Sequence, residues 1–231
     1  MTVDRGVRVH HVETAVSGRV LVRAALGGRP VGVLVGSHGY AENADIHLER
    51  LTTIPGTDRW MLVSVEGLNR FYRGRSDVTV ASWMTRQDRD RAIAANIAYV
   101  DRAVDHARRE AVPGVAPAPL FVAGFSQGGA MAFRAAIRGS HDAAGVIAVG
   151  ADVPPELLSA TETRFPPVLL VRGARDDWYT QAKLDADLAA LTLRGAQVSA
   201  LVADAGHEWT PEISTAVGRF LSTGVHGDEP E

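Results

Sequence analysis

Apolar residues along this chain gather into short unbroken runs, and longer amphipathic stretches separate the runs. The first clear run, Val31-Gly32-Val33-Leu34-Val35, ends in Gly36-Ser37-His38-Gly39. A short, wholly apolar run closed by turn residues predicts a strand buried on both faces. Trp60 to Val65, Leu120 to Phe125, Gly145 to Val149, Val168 to Val171 and Gln197 to Val202 repeat that signature. Between them the period lengthens. From Asp88 to about Arg109, Ile93, Ile97, Val100 and Val104 recur at helical spacing and form one apolar stripe. Asn43 to Leu51, Ala130 to Ala136, Tyr179 to Leu193 and Pro211 to Leu221 also predict helices.

At the start, Val7 to Glu13 and Arg19 to Leu26 are β-rich and flank Ser17-Gly18, which predicts an antiparallel hairpin. Gly67 to Val80, rich in arginine and aromatics, predicts a long loop. Pro113 to Pro119 reads as a linker, too short and too soon followed by apolar sequence to divide two domains. The polar end, Thr223 to Glu231, predicts a disordered tail behind a single domain of residues 1–222. Strands alternating with helices predict an α/β fold: a mainly parallel central sheet with helices on both faces, opened by the N-terminal hairpin. Catalytic or binding groups in such sheets collect at the carboxyl ends of the strands.

Composition narrows the field. The 231 residues are 46% hydrophobic and 22% charged, enough apolar material for a sizeable core in one domain. The net charge of −3 argues against a nucleic-acid partner. The densest charge run, Arg86 to Arg91, mixes both signs and reads as a solvated helix start. There is no cysteine, hence neither disulfide nor thiolate chemistry. No metal or other cofactor is expected. His207-Glu208 lacks a second histidine four positions after the first, and His10-His11 point to opposite faces of a strand. Neither a signal-peptide core nor a membrane-length apolar run is present, so a cytoplasmic protein is expected.

The candidate chemistry begins at Leu120-Phe121-Val122-Ala123-Gly124-Phe125-Ser126-Gln127-Gly128-Gly129. A strand runs into Gly-x-Ser-x-Gly and a helix follows. That context lifts a common short motif to a nucleophile prediction: a sharp turn exposes the serine, and small residues at Gly124 and Gly128 let strand and helix approach. Ser126 then needs a base, and the base needs an orienting carboxylate. Of the later histidines, His226 lies in the tail and His141 in a loop before the next strand. His207 follows the Gln197–Val202 run through Asp204-Ala205-Gly206, at a strand's carboxyl end. After Val168 to Arg172 come Gly173-Ala174-Arg175-Asp176-Asp177, where either aspartate could be the acid and the other a helix cap. His38-Gly39-Tyr40 follows the first core strand. The loop there supplies one oxyanion donor in hydrolases of this architecture, and the residue after the nucleophile supplies the other. The backbone N–H groups of Tyr40 and Gln127 are therefore the expected pair.

These residues resemble the α/β-hydrolase superfamily, and more narrowly its phospholipase/carboxylesterase branch, which includes acyl-protein thioesterases. The resemblance runs from about Val31 to Leu221 on His38-Gly39, Gly124-Phe125-Ser126-Gln127-Gly128-Gly129, Gly173-Ala174-Arg175-Asp176 and Gly206-His207. It implies that the acid is the aspartate three residues after the glycine, Asp176. Three departures stand out. Ala41 replaces a usual second glycine of the oxyanion loop, and Asp177-Trp178-Tyr179 replaces smaller residues after the acid, crowding the pocket. The short stretch between Val149 and Val168 leaves no room for a large cap domain. Phe71, Tyr72, Trp83, Trp178 and Trp209 are the candidate aromatics for walling a substrate pocket, the alternative for each being that it fills a gap in the core. The expected activity is hydrolysis of a small-molecule carboxylic ester or thioester through an acyl-enzyme on Ser126, His207 and Asp176. An acyltransferase or peptidase on the same site, or a hydrolase-fold binding protein without turnover, are the alternatives.

Overall fold

Each apolar run builds a strand whose residues alternate between two cores. In β2 (Val33–Ser37), Val33 and Val35 face one layer and Leu34 the other. β6 (Leu120–Phe125) divides Leu120 and Val122 from Phe121, Ala123 and Phe125 in the same way. β7 (Gly145–Val149) and β8 (Val168–Gly173) repeat the division with Val146 against Ile147 and Leu170 against Leu169. Period-two geometry with helices on both sides requires apolar residues at every position, hence the continuous runs. The structure, a computed structural model, describes residues 6–110, 118–160 and 162–225.

Seven strands form the main sheet in the order β1-β3-β2-β6-β7-β8-β9, with β1 spanning Val20–Arg23, β3 Met61–Val65 and β9 Val198–Ala203. All neighbours are parallel except β1 and β3. The N-terminal antiparallel element is thus present, with β3 as the partner of β1; Val7 to Glu13 has no regular structure. α2 (Arg89–Glu110), α3 (Gln127–Arg138) and α5 (Gln181–Leu193) cover one face, where Ile93, Ile97, Val100 and Val104 of α2 are all buried. α1 (Ala44–Thr52) and α6 (Pro211–Val225) cover the other through Leu51, Ile213, Val217 and Leu221. Between β7 and β8 the described residues hold only the short α4 (Pro155–Ser159), so there is no large cap.

Two expectations about connections change, and a third falls largely outside the described residues. The expected loop from Gly67 to Val80 contains a two-stranded antiparallel ribbon, β4 (Asn69–Tyr72) with β5 (Thr79–Ser82). Three of the four β4 residues are exposed, so β4 has no apolar alternation for a sequence pattern to reveal. Helix α6 continues through Thr223 to Val225, into the expected tail; the rest of that tail, 226–231, lies outside the described residues. The linker expected at Pro113 to Pro119 lies outside them up to residue 117.

The chain order reverses between β2 and β6: β2 leads outward to β3, and β6 leads the opposite way to β7, β8 and β9. That reversal opens a crevice above the carboxyl ends of β2 and β6, where the helix-flanked sheet can receive a ligand.

Candidate active site

Ser126 stands at this crevice, between the end of β6 and the first residue of α3, with φ 53° and ψ −123°. A non-glycine residue rarely adopts that conformation, and close packing on both sides holds it. A Cβ at Gly124 would overlap the carbonyl of Gly128, and one at Gly128 would overlap the carbonyl of Ser37 on β2. The Ser126 N–H donates to the Val149 carbonyl at 2.8 Å, which ties the turn to the end of β7.

Two further strand ends supply the partners. His207 follows β9, and its Nε2 lies 2.9 Å from Ser126 Oγ. Asp176 follows β8, and its Oδ2 lies 2.8 Å from His207 Nδ1. The other carboxylate oxygen, Oδ1, accepts the N–H groups of Trp178 at 2.8 Å and Tyr179 at 2.9 Å. Burial by itself would raise the pKa of this carboxyl, which is 3% exposed. The hydrogen bonds from Tyr179, His207 and Trp178 together outweigh burial and hold it below the ordinary value. Asp176 therefore stays ionised beside the imidazole. Asp177 is exposed and does not cap α5, whose N-cap is Thr180.

The loop after β2 is locked from several directions. The Gly67 N–H donates to His38 Nε2 at 3.0 Å, so Nε2 carries no proton and Nδ1–H donates to the Gly39 carbonyl at 2.6 Å. Burial lowers the pKa of His38 and keeps it neutral, as this pattern requires. Pinning the Gly39 carbonyl also fixes the N–H of Tyr40, because the two lie in one planar peptide and point opposite ways. On the other side, Gly39 N–H donates to Glu42 Oε2 at 2.8 Å, and Arg50 grips both Glu42 oxygens at 2.6 Å. Ala41 has φ 58°, so the residue standing where a glycine was expected keeps a glycine-like conformation. The β4–β5 ribbon holds it there, through Ala41 N–H to the Ala81 carbonyl at 3.1 Å and Arg73 to the Ala41 carbonyl at 2.7 Å. The Gln127 side chain joins the same ribbon. Its Oε1 accepts from Trp83 N–H at 2.9 Å, and its Nε2 donates to the Met84 carbonyl at 3.0 Å.

A cleft of about 250 Å³ opens beside Ser126 and His207. Of the five aromatics expected to wall it, Trp178 does so, at 76% exposure. The other four are placed elsewhere, which corrects the expected lining. Trp83 is fully buried and donates its ring N–H to the His38 carbonyl at 2.8 Å, so it braces the loop after β2. Phe71 packs against the Tyr40 ring, and Tyr72 is exposed on the ribbon. Trp209 donates to Ser214 Oγ and packs edge-on against His47. In their place the cleft presents Ala130, Arg134, Asp152, Lys183 and Arg89. Helical spacing carried a signal for two of these, since Ala130 and Arg134 lie four and eight residues after Ser126 on one face of α3.

A second buried carboxylate, Asp187, lies close to Asp176, linked through Tyr179. Asp187 accepts from the Tyr179 hydroxyl at 3.0 Å and the Val153 N–H at 3.1 Å. Burial pushes its pKa up to about 6, with help from Asp152 and against Val153 N–H, the Tyr179 hydroxyl and Lys183. The folded value lies above the unfolded one, so the stability this group contributes is complete below about pH 4 and is lost as pH rises through about 6. Asp187→Asn resembles the protonated form. It is expected to be more stable than wild type at pH 7.5 by up to about 3 kcal/mol, with the difference vanishing near pH 4. Urea unfolding of both proteins at the two pH values checks this; equal differences at both would contradict it.

The parallel sheet, the serine at the strand-to-helix turn and the partners at successive strand ends define an α/β-hydrolase. The sequence model of the phospholipase/carboxylesterase family matches residues 75–223, so the chain belongs to that family and is an esterase-like hydrolase of small-molecule esters. Among solved structures, esterase PE8 superposes with a TM-score of 0.71 at 22% identity, covering 90% of this chain and 99% of that one. Acyl-protein thioesterase 2 of Zea mays gives 0.68 at 19% identity, covering 90% and 100%. The Bacillus cereus carboxylesterase gives 0.67 at 14% identity, covering 90% and 94%. These likenesses establish the shared fold. No helix among the described residues is long and apolar enough to cross a membrane, and no group of three His, Cys, Asp or Glu side chains among them could hold a metal ion.

Proposed function

We propose that the protein hydrolyses a carboxylic ester or thioester through an acyl-enzyme on Ser126. The observation that carries this reading is the unbroken hydrogen-bond run from Ser126 Oγ through His207 to Asp176, open at its serine end to the cleft. Ser126 Oγ attacks the carbonyl carbon while His207 Nε2 takes its proton. The carbonyl oxygen becomes an oxyanion, held by the N–H groups of Tyr40 and Gln127. The C–O or C–S bond then breaks, and His207 returns the proton to the leaving alcohol or thiol. Water enters, gives a proton to His207 and attacks the acyl carbon. Collapse of the second oxyanion breaks the bond between the acyl carbon and Ser126 Oγ, His207 returns its proton to that Oγ, and the acid is released with Ser126 and neutral His207 restored. Throughout, Asp176 holds the ring with Nδ1–H toward itself and stabilises the transient imidazolium.

Trapping the intermediate tests this reading. The protein is mixed with an activated short-chain ester, quenched in acid within milliseconds and digested. Mass spectrometry should find one acyl group per chain, on the peptide holding Ser126. An acyl group on any other residue, or turnover with none trapped under conditions where deacylation limits the rate, would overturn it.

A further inference from the structure

The cleft beside Ser126 sets charged side chains among apolar ones such as Ala130, Val153 and Pro154. Arg134 lines it, 1% exposed, with Glu156 Oε1 2.7 Å from both its Nε and its Nη2. Lys183 lines the wall and donates to Asp152 at 3.1 Å and the Trp178 carbonyl at 2.7 Å. Each of these two cations already has its carboxylate. Arg89, in the first turn of α2, lines the same cleft and makes no ion pair among the described residues. Glu156 is spoken for by Arg134, and the neighbouring groove that Arg89 also borders holds Arg138 beside Glu156 and Asp90. The cleft therefore carries one guanidinium in excess, at its solvent-exposed rim and at the positive end of a 22-residue helix. An alkyl chain run past Arg89 would strip water from its exposed guanidinium without replacing the hydrogen bonds.

We infer that the cleft selects short esters bearing a carboxylate on the group seated beside Ser126, and that Arg89 reads this carboxylate. The inference rests on the serine-hydrolase reading above. A planar monoanion matches one free guanidinium, which can donate two parallel N–H bonds to it. A phosphate dianion would call for a second unpaired cation, and the cleft offers none among the described residues. The small volume, about 250 Å³, suits an acid of a few carbons between the ester carbonyl and the charge. Arg89 acts on binding rather than on the reacting atoms, so its effect belongs in KM.

The experiment compares monoethyl succinate with ethyl 4-methylpentanoate, a neutral ester of the same shape, by titrating the acid released at constant pH. Wild type should favour the succinate by about tenfold or more in kcat/KM, a plausible size for a charge-assisted pair at a partly exposed site. Arg89→Gln should reduce that preference by about tenfold, mainly through KM, and Arg89→Lys should keep part of it. Raising the salt concentration should erode the wild-type preference. A preference that Arg89→Gln leaves unmoved, or a wild type that favours the neutral ester, overturns the carboxylate assignment and leaves the hydrolase reading standing. If wild type hydrolyses neither ester nor any ester of the activated series, the hydrolase reading falls and takes this inference with it.

Discussion

Ser126→Ala should lower ester turnover by about 10⁴- to 10⁶-fold, the loss expected when the nucleophile of a working triad is removed. A fluorophosphonate should label the wild-type protein once, at Ser126, and the variant not at all, because only an activated serine attacks phosphorus at useful rates. The substitution removes one half-buried oxygen and leaves the turn's backbone bonds in place, including Ser126 N–H to the Val149 carbonyl at 2.8 Å. Thermal unfolding should therefore shift little, which separates lost chemistry from lost fold. A slow residual rate is expected from the oxyanion donors alone. Undiminished labelling of the variant would remove Ser126 from the reaction.

The second large effect separates two adjacent aspartates. Asp176→Asn should reduce kcat by as much as about 10⁴-fold while the fold survives. The reason lies in the two oxygens of this carboxylate. Oδ1 accepts two backbone N–H groups, from Trp178 and Tyr179, while Oδ2 faces His207 Nδ1. An asparagine has one acceptor oxygen, and the two N–H donors claim it. Its NH₂ then faces His207 and donates to Nδ1, driving the ring proton to Nε2, where it points at Ser126 and cannot be replaced by the serine's own. Asp177→Asn, on an exposed side chain, should change kcat by less than about twofold and stability by less than about 0.5 kcal/mol. Measuring turnover and unfolding of both variants side by side decides the matter, and a dead Asp177→Asn beside an active Asp176→Asn would reverse the assignment.

The legible parts of this molecule were those where one physical demand dominates a stretch of chain. Strands buried on both faces must be apolar throughout, so β2, β6, β7 and β8 announced themselves. The α2 stripe did the same at helical period. The turn at Ser126 was marked by the close approach that excludes side chains at Gly124 and Gly128. Illegible were features set by partners distant in the chain. β1 pairs with β3, some forty residues on, and nothing local distinguishes that partner from a nearby β-rich segment such as Val7 to Glu13. β4 of the ribbon is mostly exposed and is tied down by arginines, so it shows no apolar alternation of its own. The aromatics misled for a related reason. A large ring can wall a cleft or fill a core, and only the packing around it shows that Trp83 does the second. The cleft's cations are dispersed over α2, α3 and α5, and no short motif contains them.

The backbone at Ser126 bears on how such a chain persists through evolution. A non-glycine residue at φ 53° costs of order 1–3 kcal/mol against a total stability of about 5–15 kcal/mol for a domain. Glycine would occupy the same turn with little strain. On the proposed mechanism Ser126 is thus a thermodynamic liability: drift toward stability alone would erase the hydroxyl that mechanism requires. Selection must act on that single oxygen continuously, while the sheet beneath it is maintained by folding alone. Scaffold and reactivity are inherited under different pressures, and lineages that lose the substrate should lose this serine well before they lose the fold.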